Sequence, residues 1–239
     1  MKKRTKILII AVVCLIIALA AATAIYAGDY YRAVNVQVHL TSNNNVTVSE
    51  IKEGYFFDGT STDKALIFYP GAKVEETAYA PMMQSLAANG VDCFLIKMPM
   101  KLAFLGMNTA NSILSEYSYE NYYLAGHSLG GAMAANYASE HLTDYSGLFL
   151  LAAYPSKNLT AAQFPVVFIY GEHDTVLNKE KLETGFTLVP SNYQTVMIEG
   201  GNHAGFASYG KQDGDGNATV SAEVQQQIAV DTILNTINS

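Results

Sequence analysis

Three residues stand where their side chains could carry out nucleophilic chemistry. Ser128 lies in Gly126-His127-Ser128-Leu129-Gly130, a G-x-S-x-G pattern, behind the short apolar run Tyr122 to Ala125 and ahead of a small-residue stretch that reads as a helix. A serine hydroxyl is a poor nucleophile at neutral pH, so it needs a histidine to take its proton and a carboxylate to orient that histidine. Downstream, Asp174 sits in Tyr170-Gly171-Glu172-His173-Asp174, and His203 in Glu199-Gly200-Gly201-Asn202-His203-Ala204-Gly205-Phe206. Each follows a strand-like apolar run, and a carboxylate at the C-terminal end of a strand faces the cleft that a serine placed likewise would face. Glu172 suits the same loop as an alternative carboxylate.

The spelling around Ser128 has a steric reason. A serine pushed into a cleft on a strained strand-to-helix turn leaves no room for side chains two residues either side, and Gly126 and Gly130 remove them. Gly131, Ala132, Ala134 and Ala135 then let a helix lie close on a sheet. Of the other histidines, His127 fills the variable position of the turn and reads as packed. His173 reads as structural, and His39 and His141 carry no motif.

The elements that must position these residues follow from periodicity. Val34, Val36, Val38 and Leu40 alternate with polar residues, as in a half-buried strand. Thr41 to Asn45 reads as a turn, Val46 to Phe57 resumes strand character, and Asp58-Gly59-Thr60-Ser61 turns again. Ala65 to Tyr69 is apolar without alternation, as expected of a strand covered on both faces. Pro81 suits the first turn of a helix with Met82, Leu86 and Ala87 on one face and Gly90 at its end. Val91 to Met98 is a further strand, and Met107, Ala110, Ile113, Leu114 and Tyr117 recur at helical spacing. Met98-Pro99-Met100 suits either a cleft wall or the core.

Beyond the Ser128 turn come strands at Gly147 to Ala153, Pro165 to Tyr170 and Gln194 to Ile198. A helix is expected around Leu182 and Phe186, and a terminal helix with Val224, Ile228, Thr232 and Ile233 inward. Strands alternating with helices imply an α/β fold, a mostly parallel central sheet with helices on both faces.

Composition bounds the possibilities. The 239 residues, half of them hydrophobic, suffice for one sizeable domain but not two catalytic ones. A net charge of -7 argues against a nucleic-acid partner, which would need concentrated Lys and Arg. Cys14 and Cys93 lie in different environments and are not expected to pair, and no metal-ligand spacing or cofactor motif is present. Asp213-Gly214-Asp215-Gly216-Asn217 fits a calcium loop poorly, with Ala218 for the expected glycine and Val224 for the bidentate glutamate. It reads as a solvated loop before a helix capped near Thr219 or Ser221.

At the N-terminus Lys2, Lys3, Arg4 and Lys6 precede an uncharged run from Ile7 to Ala27, about the 20 residues a helix needs to cross a bilayer. Basic residues before the run favour a cytoplasmic N-terminus, so the expectation is a single-pass anchor over residues 1–28 with the rest outside the cytoplasm. Ala22-Thr23-Ala24 fits a signal-peptidase site, and secretion after cleavage is the alternative.

The motifs Tyr69-Pro70-Gly71-Ala72, Gly126 to Gly130, Gly171 to Asp174 and Gly201 to His203, in that order, resemble an α/β-hydrolase, and more narrowly its compact dienelactone-hydrolase-like branch. The resemblance covers residues 29–239 from about Ala65 onward. It implies Ser128, Asp174 and His203 as a catalytic set, with Asp174 preferred to Glu172, and an oxyanion hole from the backbone N–H groups of Leu129 and Ala72, Lys73 being the neighbouring alternative. Dienelactone hydrolases use a cysteine nucleophile where this chain has Ser128, so no lactone substrate is implied. The expected activity is hydrolysis of carboxylic esters of small or accessible acyl substrates through an acyl-enzyme. A peptidase or amidase using the same residues, or an inactive binding protein of the same fold, are the alternatives. The short link between Leu151 and Phe164 leaves no room for a large lid there.

Overall fold

The computed structural model describes residues 3–60 and 63–239, so Lys2 and the end of the expected turn at Ser61 lie outside the described residues. The chain divides into two compact units, the first ending at Tyr30 and the second running from Tyr31 to Ser239. The first is one helix, α1 (Lys3–Gly28), whose stretch Ile9–Gly28 has a mean hydropathy of 2.8 and is long and apolar enough to cross a membrane. A signal sequence has the same length and composition.

In chain order the second unit contains β1 (Thr47–Ile51), β2 (Gly54–Asp58), β3 (Lys64–Tyr69), α2 (Ala80–Ala88), β4 (Asp92–Ile96), α3 (Ala110–Glu116) and β5 (Asn121–His127). There follow α4 (Leu129–Ala138), β6 (Gly147–Leu151), β7 (Val166–Gly171), α5 (Lys179–Phe186), β8 (Gln194–Ile198) and α6 (Ala222–Ile237). The eight strands form one sheet in the order β1-β2-β4-β3-β5-β6-β7-β8. β2 pairs antiparallel with both β1 and β4, and β4, β3, β5, β6, β7 and β8 are mutually parallel.

Strands β3 to β7 are apolar on both faces because helices cover both. One layer sets Phe68, Leu95, Phe149 and Ile169 against Met82 and Leu86 of α2 and Ala229 and Ile233 of α6. The other sets Ile67, Phe94, Leu124, Leu150 and Phe168 against Ile113 of α3, Ala134 and Ala135 of α4, and Leu182 of α5. A parallel sheet directs every strand's C-terminal end to one edge, so the loops after β3, β5, β7 and β8 gather there.

Three expectations change. Val34 to Leu40 is not a strand. Asn35 takes a left-handed φ of 58°, and Gln37–Leu40 is a 3-10 turn. Only Val36 is buried, while Val34 and Val38 are exposed. Bonds to other elements, Val34 N to Ser208 O and His39 Nδ1 with Gln84 Oε1, replace the ladder that alternation alone suggested. Val46 to Phe57 is a hairpin rather than one strand, turned at Lys52-Glu53 with Gly54 at φ 147°, where a Cβ would strike Leu95 O at 2.1 Å. In α6 the buried stripe is Gln226, Ala229, Val230, Ile233 and Ile237, while Val224 is exposed. Ser221 caps the helix, its side chain accepting from Val224 N, and Gln225 is buried beside that stripe, where it reaches Asn202. Met98 is core and Met100 is exposed.

The tightest approach in the sheet–helix packing is at Gly130, where an added Cβ would lie 2.1 Å from Tyr69 O and 2.3 Å from Pro70 O. Both neighbours are backbone and cannot swing aside. Gly130→Ala is therefore expected to lower the unfolding free energy by about 1–3 kcal/mol or more, measured by denaturant unfolding.

Candidate active site

Strand β5 delivers Ser128 to the edge, and α4 starts one residue later. Ser128 has φ 53° and ψ -124°, a conformation that costs a non-glycine residue about 1–3 kcal/mol and persists only where the surroundings enforce it. They do so from both sides: Ser128 N donates to Leu151 O of β6 at 2.9 Å, and its carbonyl accepts from Ala132 N at 3.1 Å. A Cβ at Gly126 would lie 2.6 Å from Gly130 C and Gly131 N, so the turn closes only with glycine there.

Asp174 follows β7 and His203 follows β8, the strands being adjacent and parallel. Both residues are 2% exposed, and Asp174 Oδ2 lies 2.8 Å from His203 Nδ1. The other carboxylate oxygen, Oδ1, accepts from Val176 N at 2.9 Å and Leu177 N at 2.8 Å, which fixes the carboxylate plane. An acceptor on Nδ1 selects the imidazole tautomer with its proton there, leaving the Nε2 lone pair to take a proton. Glu172 is turned elsewhere: its Oε2 accepts from Gly200 N at 2.9 Å and so shapes the turn after β8. His173 is partly exposed, and its backbone N donates to Gly201 O.

The loop bearing His203 is fixed by residues that sequence reasoning missed. Asp215 accepts from the backbone N–H of His203 at 3.2 Å, Ala204 at 2.8 Å and Gly216 at 2.8 Å. Gln225, fully buried on α6, accepts from Asn202 N at 3.0 Å and donates to Asn202 O at 2.7 Å. Asn202 donates to Gly216 O and accepts from Gly205 N. The Asp-Gly-Asp-Gly run signalled a turn, but not that its second aspartate holds another loop. Among the described residues no cluster of His, Cys, Asp and Glu could hold a metal ion.

The elbow also touches the loop after β3. His127 is 1% exposed, its ring centroid is 4.7 Å from that of His203, and its Nδ1 lies 2.8 Å from Tyr79 Oη. Burial pushes the Tyr79 hydroxyl well above its ordinary range, so it keeps its proton, and its oxygen accepts from Gly71 N at 3.0 Å. Lys73 N is likewise committed, to Lys101 O at 2.9 Å. Between them, Ala72 N–H makes no hydrogen bond among the described residues, and Leu129 N–H lies in the first turn of α4, where helix donors lack intrahelical partners. A cavity of about 780 Å³ lies elsewhere, behind the His203 loop and lined by Met82, Asn202, Asp215 and Gln226 rather than Ser128.

Two outcomes are expected. Asp215→Ala strips the acceptor from three backbone donors and should lower stability by about 1–3 kcal/mol in denaturant unfolding. Burial, with the His203 ring beside it, pushes His127 well below the ordinary imidazole value of 6.5. The unfolded chain then binds a proton that the folded chain excludes, so stability is full above the unfolded value and falls as pH drops below it. Replacing His127 with Gln should remove up to about 1.4 kcal/mol per pH unit from that decline between about pH 7 and pH 5, as measured by unfolding at each pH.

A family model described as the alpha/beta hydrolase family matches residues 65–227. No curated protein matches the sequence. Among solved structures, a predicted CIB-like hydrolase from Thermoplasma acidophilum superposes with a TM-score of 0.62 at 12% identity, covering 80% of this chain and 100% of its own. The carboxylesterase CesB from Bacillus subtilis gives a TM-score of 0.60 at 11% identity, covering 91% and 97%. Est1E from Butyrivibrio proteoclasticus, with ferulic acid bound, gives 0.57 at 13% identity, covering 82% and 96%. At these identities the superpositions speak to fold, while the family model spans well over half of the sequence. The chain belongs to the alpha/beta hydrolase family.

Proposed function

We propose that this chain is a serine hydrolase of carboxylesterase type, with Ser128 as nucleophile, His203 as base and Asp174 as its orienting carboxylate. The observation that carries the reading is the buried 2.8 Å bond between Asp174 Oδ2 and His203 Nδ1, with the His203 ring 4.7 Å from the ring of His127, the residue that precedes a serine at φ 53°. That bond leaves Nε2 as the proton acceptor, and backbone strain is held at the residue that must present a hydroxyl.

In the first step Ser128 Oγ attacks the ester carbonyl carbon and its proton passes to His203 Nε2. The carbonyl oxygen becomes anionic between the N–H groups of Leu129 and Ala72, each contributing roughly 3–4 kcal/mol to the transition state. The bond to the alcohol oxygen breaks, and Nε2 returns the proton to that oxygen. Water then attacks the acyl carbon and gives its proton to Nε2. The bond to Ser128 Oγ breaks, the proton returns to Oγ, and a carboxylic acid leaves.

An ester substrate agrees with CesB being a carboxylesterase. The direct run from β6 to β7, with no helix between them, supports placing the chain among compact, uncapped members of the family, similar to the dienelactone-hydrolase-like branch but with serine. We read α1 as a retained anchor, and Lys3, Arg4 and Lys6 before its apolar stretch support an extracytoplasmic second unit.

Ser128→Ala should reduce hydrolysis of p-nitrophenyl acetate to background and abolish labelling by a fluorophosphonate. Asp174→Asn, with the wrong tautomer favoured, should lower kcat about 10⁴-fold, and Glu172→Gln should stay within a few-fold of the unaltered chain. Unchanged turnover in either of the first two variants rejects the assignment.

A further inference from the structure

The chain leaves α1 at Gly28 and is fixed again at Tyr31. Tyr31 forms a parallel bridge with Val74: its N–H donates to Lys73 O at 2.7 Å and its carbonyl accepts from Glu75 N at 2.9 Å. Ala33 N, two residues on, donates to Glu75 Oε2 at 2.9 Å. Whatever direction α1 takes, three residues of chain reach at most about 11 Å. The segment Tyr31 is stapled to is the continuation of the loop after β3. That loop carries Ala72 and meets the elbow, since a Cβ at Gly71 would lie 2.9 Å from His127 Nδ1. Covalent length alone thus keeps the Tyr31–Val74 bridge, which continues that loop, within about 11 Å of the last residue of the apolar helix. The interfacial layer on each side of a bilayer is itself about 5–8 Å deep.

The loop after β4 is joined to the same place. Lys73 N donates to Lys101 O, and Lys101 Nζ pairs with the buried carboxylate of Glu76. Held in that way, the loop turns three large apolar side chains outward: Met100 is 38% exposed, Phe104 54% and Leu105 48%. They make up three of the eight exposed large apolar side chains among the described residues of the second unit, so the patch is concentrated rather than scattered. Met100 and Lys101 are both in the left-handed region, at φ 51° and 56°. The turn at Ala103–Leu105 packs on α4, the helix that opens at the elbow. Tyr26 and Tyr30, flanking the end of α1, are the residue type that settles at a membrane–water boundary.

We infer that the Met100–Leu105 loop rests in the surface of the membrane that anchors the chain, and that the substrates are acyl esters held in that membrane. Their apolar part stays in the bilayer while the ester carbonyl reaches Ser128. This rests on the serine-hydrolase reading and on α1 being retained. Three exposed apolar side chains would bind a bilayer weakly from solution, but the anchor makes the contact intramolecular and raises the effective concentration to where weak contacts are occupied.

The test uses the full chain in phosphatidylcholine vesicles, with p-nitrophenyl acetate as the dissolved substrate and a fluorogenic long-chain ester carried in the vesicles. The paired variant Phe104→Asp, Leu105→Asp should lose at least tenfold on the vesicle-borne ester and stay within twofold on the acetate. Equal loss on both, no loss on either, or wild-type turnover of acetate alone overturns the inference while leaving the esterase reading intact. Docking is read separately from chemistry. In a Cys14→Ser background, with Cys93 buried in β4, a Leu105→Cys variant carrying an NBD fluorophore should shift to the blue on vesicles and be quenched by doxyl lipids. A water-like spectrum, or recovery of the chain in the soluble fraction, overturns the inference even if neither ester is hydrolysed. That last result also rejects the esterase reading.

Discussion

The hydrogen bond between Asp174 and His203 is the interaction to which most of the local structure at the sheet edge is subordinate. Its two partners lie 29 residues apart in sequence on loops that have no regular structure of their own, and both are buried. Burial makes an unpaired partner expensive, so the bond is also a constraint: the two loops must arrive together or not at all. Strands β7 and β8 being parallel neighbours brings their C-terminal ends side by side. The remaining freedom is removed by Asp215, Gln225 and Asn202, which bind the backbone around His203 at several points.

Apart from Asn35, the described non-glycine residues with positive φ share one edge of the sheet. Lys73, Met100, Lys101, Ser128 and Ala152 all have positive φ, and all follow the C-terminal ends of β3, β4, β5 and β6. The sheet interior, by contrast, is regular, with β3 to β7 largely buried on both faces. A rigid, well-packed interior can support unfavourable conformations at its rim, and the rim is where a hydroxyl and backbone donors have to be aimed. The Gly71, Tyr79 and His127 chain of hydrogen bonds shows the same division of labour, because it couples the loop after β3 to the elbow through groups that are themselves fully buried.

The first unit adds a property that the fold of the second does not supply. The apolar helix is joined to the second unit by so few residues that the point of attachment matters, and that point is the loop after β3 rather than the opposite end of the sheet.

The sequence by itself determined whatever rests on local chemistry. Unbroken apolar runs located β3, β4, β6 and β7, the glycines around Ser128 located the strand-to-helix turn, and Pro81 with Gly90 bracketed α2, because each signal depends on neighbours within a few residues. Ser128, Asp174 and His203 stood out for the same reason, as polar residues directly after such runs. The errors also had one source. Alternating valines at 34 to 38 read as a strand, yet Asn35 turns left-handed, Val34 N bonds Ser208 O and the His39 side chain meets Gln84 on α2. The inward face of α6 was misphased because its orientation is set by Gln225 reaching Asn202, 23 residues upstream. Only the tertiary structure decided that Asp174 rather than Glu172 lies against His203, that Asp215 holds the loop, and that Lys73 spends its N–H on Lys101. Those choices depend on which distant group arrives within 3 Å, a quantity that chain periodicity does not encode.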